Sequence, residues 1–223
     1  MIENVFVSIP FIAILIIKNA TLESSLLLVG TIVLASFSFK TAFHIMIPTP
    51  FSNHSFEFTV GFRKSFLIFI FAYTLAIIAI SVDNLNLGVF AMLLVYLTAL
   101  SYYAKPENEF YVWVHADTPK SFIYKKLKVA ARNVFILNLP ILMGLLIFYP
   151  NEFSLIILFY FIGQFFLWTL ILAKYSAYPQ EISLPEGFLL AFSIYFPPLL
   201  IALMPFFYSK SINKLKMILY DKN

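Results

Sequence analysis

The chain has 223 residues, of which 61% are apolar and 12% charged, with 27 Phe, 13 Tyr and a net charge of +4. A water-soluble domain needs roughly a quarter of its residues charged to coat its surface, so this composition excludes one and points to a bilayer as the surrounding solvent. There is no Cys, which excludes disulfides, thiolate catalysis and cysteine-ligated metals.

Seven apolar segments follow in chain order: Val5–Ile17, Ser25–Met46, Phe66–Val82, Leu87–Ala104, Val134–Tyr149, Phe153–Ala173 and Gly187–Tyr208. A crossing helix takes about 20 apolar residues. The second, sixth and seventh reach this length, and the third to fifth reach it with their flanks. The first is short and carries Pro10. Met1-Ile2-Glu3-Asn4 lacks the basic start of a secretory signal. The expected fold is therefore all-α, a polytopic transmembrane bundle of about 6–7 hydrophobic segments in a single domain, residues 1–223, of a multi-pass cell-membrane protein.

Short polar punctuation, Asp83-Asn84 and Pro150-Asn151-Glu152, predicts tight helical hairpins between the third and fourth and the fifth and sixth segments. Lys40 and His44 sit one turn apart near the end of the second segment, where snorkelling to the interface accounts for them. Gln164, Asn138, Thr98 and several Ser are neutral polar residues inside spans; they could line a path, and bridging between helices is the expected role.

Two longer connections, residues 40–65 and 105–132, together carry nine of the fifteen Lys and Arg. Two spans separate them, so they share one side, and the positive-inside rule makes that side cytoplasmic. Within the first, Phe56-Glu57-Phe58-Thr59-Val60-Gly61-Phe62-Arg63-Lys64 alternates apolar and polar and predicts an extended or interfacial stretch. Within the second, Asp117-Thr118-Pro119 is a helix start. The helix that follows places Ile123, Leu127, Ala130, Ala131 and Val134 on one stripe, with Lys125, Lys128 and Arg132 opposite. It is predicted to lie on the inner membrane surface before turning into the fifth span, as a lipid anchor or as a docking helix.

The basic C-terminal stretch with Lys210, Lys214, Lys216 and Lys222 would fall outside after three further plain crossings. Pro197-Pro198 in the middle of the last segment offers a resolution, because proline interrupts a helix and lets the segment enter and return as a broken hairpin.

The run from Ala116 to Leu127, Ala-Asp-Thr-Pro-Lys-Ser-Phe-Ile-Tyr-Lys-Lys-Leu, resembles the cytoplasmic coupling element of type-2 ABC exporter permeases. In that family such an element follows the second span; here four segments precede it, and the first basic loop stands in the family's usual place. The resemblance implies a permease subunit that couples to a separate ATP-binding subunit and forms a homodimer. It implies partner-coupling roles for Thr118, Pro119, Lys120, Phe122, Lys125 and Lys126, and for Phe58, Arg63 and Lys64 of the first loop. The chain has no phosphate-binding glycine loop, so ATP hydrolysis would belong to the partner. From a different class, a non-transporting scaffold or assembly factor that recruits lipid or a protein through the same loops fits as well.

Enzymatic chemistry is not expected. His44, His54 and His115 match no zinc spacing. His115 and Asp117, with Glu107 and Glu109 nearby, have the residue types for a metal or an acid–base pair, but wet loop positions explain them. No cofactor and no nucleic acid are expected, since the basic residues flank apolar segments as orientation signals.

Overall fold

Chain contacts divide the protein into Met1–Met46 and Ile47–Asn223. The computed structural model describes residues 56–116 and 118–220, together with Lys18, Thr49 and Phe51. The first two apolar segments, with Lys40 and His44, lie outside the described residues, as do Asp117 and Lys222.

Among its described residues the second unit contains helices α1 (Phe56–Ser81), α2 (Leu85–Tyr102), α3 (Glu109–His115), α4 (Pro119–Phe148), α5 (Phe153–Ala177), α6 (Leu184–Tyr195) and α7 (Leu199–Tyr220), with a 3-10 turn at Pro150–Glu152. Among the described residues there is no strand. Four helices are long and apolar enough to cross a membrane: α1, α2, α4, and α5 with its leading turn. The chain is a helical membrane protein, and these four crossings correspond to the third to sixth apolar segments. Of the seven expected segments, the first two lie outside the described residues, so these four are the crossings among the residues described.

Both predicted hairpins form. α1 and α2 are joined through Asp83, whose φ is 53°, and Asn84 caps α2 by accepting the Leu87 N–H at 3.1 Å. α1 and α2 make the most extensive helix pairing together with α5 and α7. In a bilayer there is little hydrophobic gain from helix association, so small residues that permit close approach carry the packing. Ala72, Ala76 and Ala79 of α1 and Gly88, Ala91 and Ala99 of α2 are buried accordingly. Gly163 of α5 lies so close to Tyr96 that a Cβ there would stand 2.5 Å from Cδ2 of the ring. Side-chain donors tie helices to neighbouring carbonyls: Tyr73 to Leu137 at 2.9 Å, Tyr149 to Ala79 at 3.0 Å and Trp168 to Leu127 at 3.3 Å.

The extended stretch expected at residues 56–64 is instead the first two turns of α1. Phe58, Phe62 and Phe69 are buried, a helical spacing that alternation over so short a run mimics. Phe51 packs edge-on against both Phe58 and Phe62, with ring centroids 4.8 and 5.1 Å away. The helix is kinked at Ser65 (φ −112°, ψ 16°), so the start of α1 and the apolar part that follows are distinct pieces.

The amphipathic helix after Pro119 likewise differs from its expected placement. It does not turn at the membrane but runs unbroken into the span as the 30-residue α4. At 1.5 Å per residue that is about 45 Å against a hydrocarbon core of about 30 Å, so its basic first turns project beyond the core. Nothing from Lys120 to Leu139 interrupts a helix, and Thr118 starts it as expected, accepting the Ser121 N–H at 3.2 Å ahead of Pro119.

The last apolar segment is broken at Phe196–Pro198, between α6 and α7. Glu186 and Lys210 are 24 residues apart yet form an ion pair at 2.5 Å. A straight helix would separate them by about 36 Å. The chain therefore reverses at Pro197-Pro198, and Lys210 returns to the end of the bundle where Glu186 begins α6. Ser176, at the end of α5, reaches the same carboxylate at 3.4 Å.

Candidate functional site

Four charged side chains far apart in sequence meet at one end of the bundle. Glu57 comes from the first turn of α1, Glu107 from the loop between α2 and α3, Lys126 from α4 and Lys174 from the last turn of α5. Lys126 lies 2.9 Å from Glu57 Oε2 and pairs with Glu107 Oε1, while Lys174 pairs with Glu57 Oε1 and stands 3.7 Å from Glu107 Oε2. Each ammonium thus faces both carboxylates. Tyr175 donates its hydroxyl to Glu107 Oε2 at 2.5 Å.

The group is largely shielded from solvent: the Lys174 side chain is buried at 1% exposure, Glu107 is at 9%, and Glu57 and Lys126 are at 11% each. Removing a carboxylate or ammonium from water costs several kcal/mol even after relaxation, and only close pairing offsets it. Here two cations balance two anions, so the cluster carries no net charge. Aromatic faces enclose the cations. Lys126 lies over Tyr111 at 4.9 Å and Phe122 at 5.6 Å, and Lys174 over Tyr175 at 5.3 Å and Tyr103 at 6.0 Å; such contacts gain strength where water is excluded. Burial pushes the Glu107 carboxyl up, but Lys126 and Lys174 outweigh it and hold the group below the ordinary carboxylate range. Burial, with the nearby Glu57 and Glu107, raises the Tyr103 phenol well above its ordinary value, so it stays protonated.

α3 hangs beside the cluster. Asn108 caps it by accepting the Phe110 N–H at 3.0 Å. Val112 is buried and Tyr111 faces Lys126. Phe110, Trp113 and Val114 are more than half exposed, which suits a short helix lying at a membrane–water boundary. Next to it a cleft of about 650 Å³ opens between the start of α1, the end of α2 and the loop that follows, with Glu57 and Glu107 in its lining.

Of the residues singled out from sequence, Lys120, Lys125, Arg63 and Lys64 are exposed, Thr118 is the exposed cap and Pro119 is buried. Phe58 and Phe122 are buried, Phe122 edge-on against Tyr175 at 5.3 Å, and Lys126 belongs to the cluster. The structure thus brings the two basic stretches together through Glu57 and Lys126. His115 is exposed, its ring stacked on Tyr111 at 4.3 Å with Nδ1 2.9 Å from the Tyr111 carbonyl oxygen. Glu109 is exposed. Among the described residues no group of three or more His, Cys, Asp or Glu side chains is placed to hold a metal ion.

The polar residues within spans do not bridge helices as expected. Thr98 donates to Leu94 of its own helix at 2.8 Å, and both amide atoms of the buried Asn138 and Gln164 lack a protein partner. Sequence reasoning also missed Glu57, Lys174, Tyr103 and Tyr175. Lys174 ends a mostly apolar helix and Glu57 interrupts a run of Phe, but 117 positions separate them, and no local pattern announces such a pair. Comparison with protein-family models, curated proteins and solved structures finds no match.

Proposed function

We propose that the chain is the membrane-spanning subunit of an ATP-driven exporter, resembling the type-2 permeases, and that a separate ATPase acts on it at α3. One arrangement carries this reading. α3 is an exposed helix whose leading loop supplies Glu107 to a buried cluster, and that cluster is shared by α1, α4 and α5. Force applied to α3 has a stiff route into three membrane helices, because displacing Glu107 would strand buried charge. Lys126 and Phe122 then act in coupling from inside the bundle, and Phe110 and Trp113 supply the exposed contact surface.

The cluster end is the cytoplasmic one in this reading, since Arg63, Lys64, Lys105, Lys120, Lys125 and Lys128 gather there. The hairpin at Pro197-Pro198 brings Lys210 to the same side and removes the conflict that a plain last crossing would create. Two copies would assemble into the working permease, each with its own ATPase.

The test is purification of the full chain from its native membrane. An ATPase should co-purify, and Phe110→Ala with Trp113→Ala should lose it while membrane insertion persists. Lys174→Met should keep the ATPase bound but disconnect its hydrolysis rate from the permease. A scaffold would bind its partner with no such effect of Lys174. Absence of any ATPase, or retention of it by the α3 double variant, would overturn the exporter reading.

A further inference from the structure

We infer that the cleft beside the ionic cluster is a binding site for an anionic membrane lipid, with the phosphate-bearing headgroup at Lys64 and Lys105. About 650 Å³ is within the range that encloses a ligand of moderate size. Its floor includes Glu57 and Glu107, but these carboxylates are matched by Lys126 and Lys174, so the floor presents no net charge. The unmatched charge lies on two exposed lining residues. Lys64 and Lys105 both line the cleft, both are exposed, and neither has a carboxylate within ion-pair reach among the described residues.

Three hydroxyls of the lining are already engaged. Ser65 donates to the Gly61 carbonyl at 2.9 Å and pairs with the Tyr102 hydroxyl, and Ser101 donates to Thr98 at 2.6 Å. Asn108 and Tyr111 add neutral polar groups to the lining, so the recognition of charge rests on the two ammonium groups, which select for an anion.

Two features favour a lipid over a soluble phosphate. Phe56, Val60, Ala104 and Pro106 give the wall an apolar part, which suits acyl chain and glycerol carbons. The level is also right. The kink at Ser65 separates the start of α1 from a stretch whose Leu67, Ile68, Ile70 and Phe71 are exposed and therefore face hydrocarbon. Lys64 stands one residue before this boundary and Lys105 just beyond the end of α2, at headgroup depth. A lipid seated here would touch the loop that carries Glu107, so occupancy would brace the cluster. This inference does not depend on the exporter reading, because the measurement uses no ATPase.

The experiment is titration of the purified full chain in a delipidating detergent with phosphatidylglycerol, phosphatidylethanolamine or phosphatidylcholine, followed by native mass spectrometry. Phosphatidylglycerol should be retained most tightly. Lys64→Gln with Lys105→Gln should weaken it about thirtyfold, from two lost lysine–headgroup attractions. Lys120→Gln with Lys128→Gln, equally basic and outside the cleft, should change it little. Ala104→Trp should block retention by filling the cleft with all charges in place. All variants should keep the wild-type thermal midpoint, since these side chains are exposed. Equal loss in the two lysine pairs would mean diffuse surface charge and would overturn the site. So would equal retention of the three lipids, undiminished binding in Ala104→Trp, or displacement of the lipid by glycerol phosphate at comparable concentration.

Discussion

Lys174→Met leaves the methylene volume of a side chain that is 1% exposed and removes only its charge. Two carboxylates then share the single ammonium of Lys126, and one negative charge is stranded in a buried site. Each ion pair at about 4 Å is worth about 4 kcal/mol at an effective dielectric near 20, most of it offset by desolvation. Breaking a buried pair from one side exposes that desolvation term and costs about 3–5 kcal/mol. Adding Glu57→Gln leaves Glu107 opposite Lys126 and restores neutrality. The double variant should therefore be more stable than the sum of the two single losses by about 2 kcal/mol, within the coupling seen for contacting residues. Denaturant-induced unfolding of the full chain in detergent, followed by the fluorescence of Trp113 and Trp168, measures all corners of this cycle. A Lys174→Met variant within about 1 kcal/mol of wild type, or additive single losses, would refute the view that the four charges act as one unit.

Gly163→Ala should destabilise by about 1–3 kcal/mol, because its Cβ would meet the Tyr96 ring at 2.5 Å, whereas Gly187→Ala has nothing within 4 Å and should gain about 0.5–1 kcal/mol of helix propensity; the same unfolding assay reads both. Gln164→Leu should leave stability unchanged or raise it by about 1 kcal/mol, since a buried amide without a protein partner costs more than an apolar side chain of similar size. The depressed Glu107 carboxyl contributes stability that is present above its unfolded value of about 4.3 and is lost as pH falls through its lower folded value. This contribution to the thermal midpoint should accordingly be lost as pH falls below about 4. Single cysteines at Ser121 and Ser209 should react with an impermeant thiol reagent from one side, and those at Asp83 and Asn151 from the other; labelling of Ser209 with the second pair would remove the hairpin at Pro197-Pro198.

The sequence by itself determined the solvent. Its excess of Phe and deficit of charge require a bilayer, and its polar punctuation at Asp83-Asn84 and Pro150–Glu152 marks the two turns that the structure contains. It also determined the cap at Thr118 and the break at Pro197-Pro198, because capping and proline chemistry act within a few residues. What it left undecided was direction and partnership. The early turns of α1 read as an extended stretch, since the spacing of Phe58 and Phe62 only becomes a buried face once Phe51 packs on it. The helix after Pro119 read as a surface element, because its lysines suggested water, yet Lys126 is largely covered where Glu57 and Glu107 arrive from other segments. Only tertiary structure could decide that Lys174 ends an apolar helix beside two carboxylates and not in an interface of lipid headgroups. A charge is tolerable in such a place through its partners, and its partners lie 67 and 117 positions away in the chain.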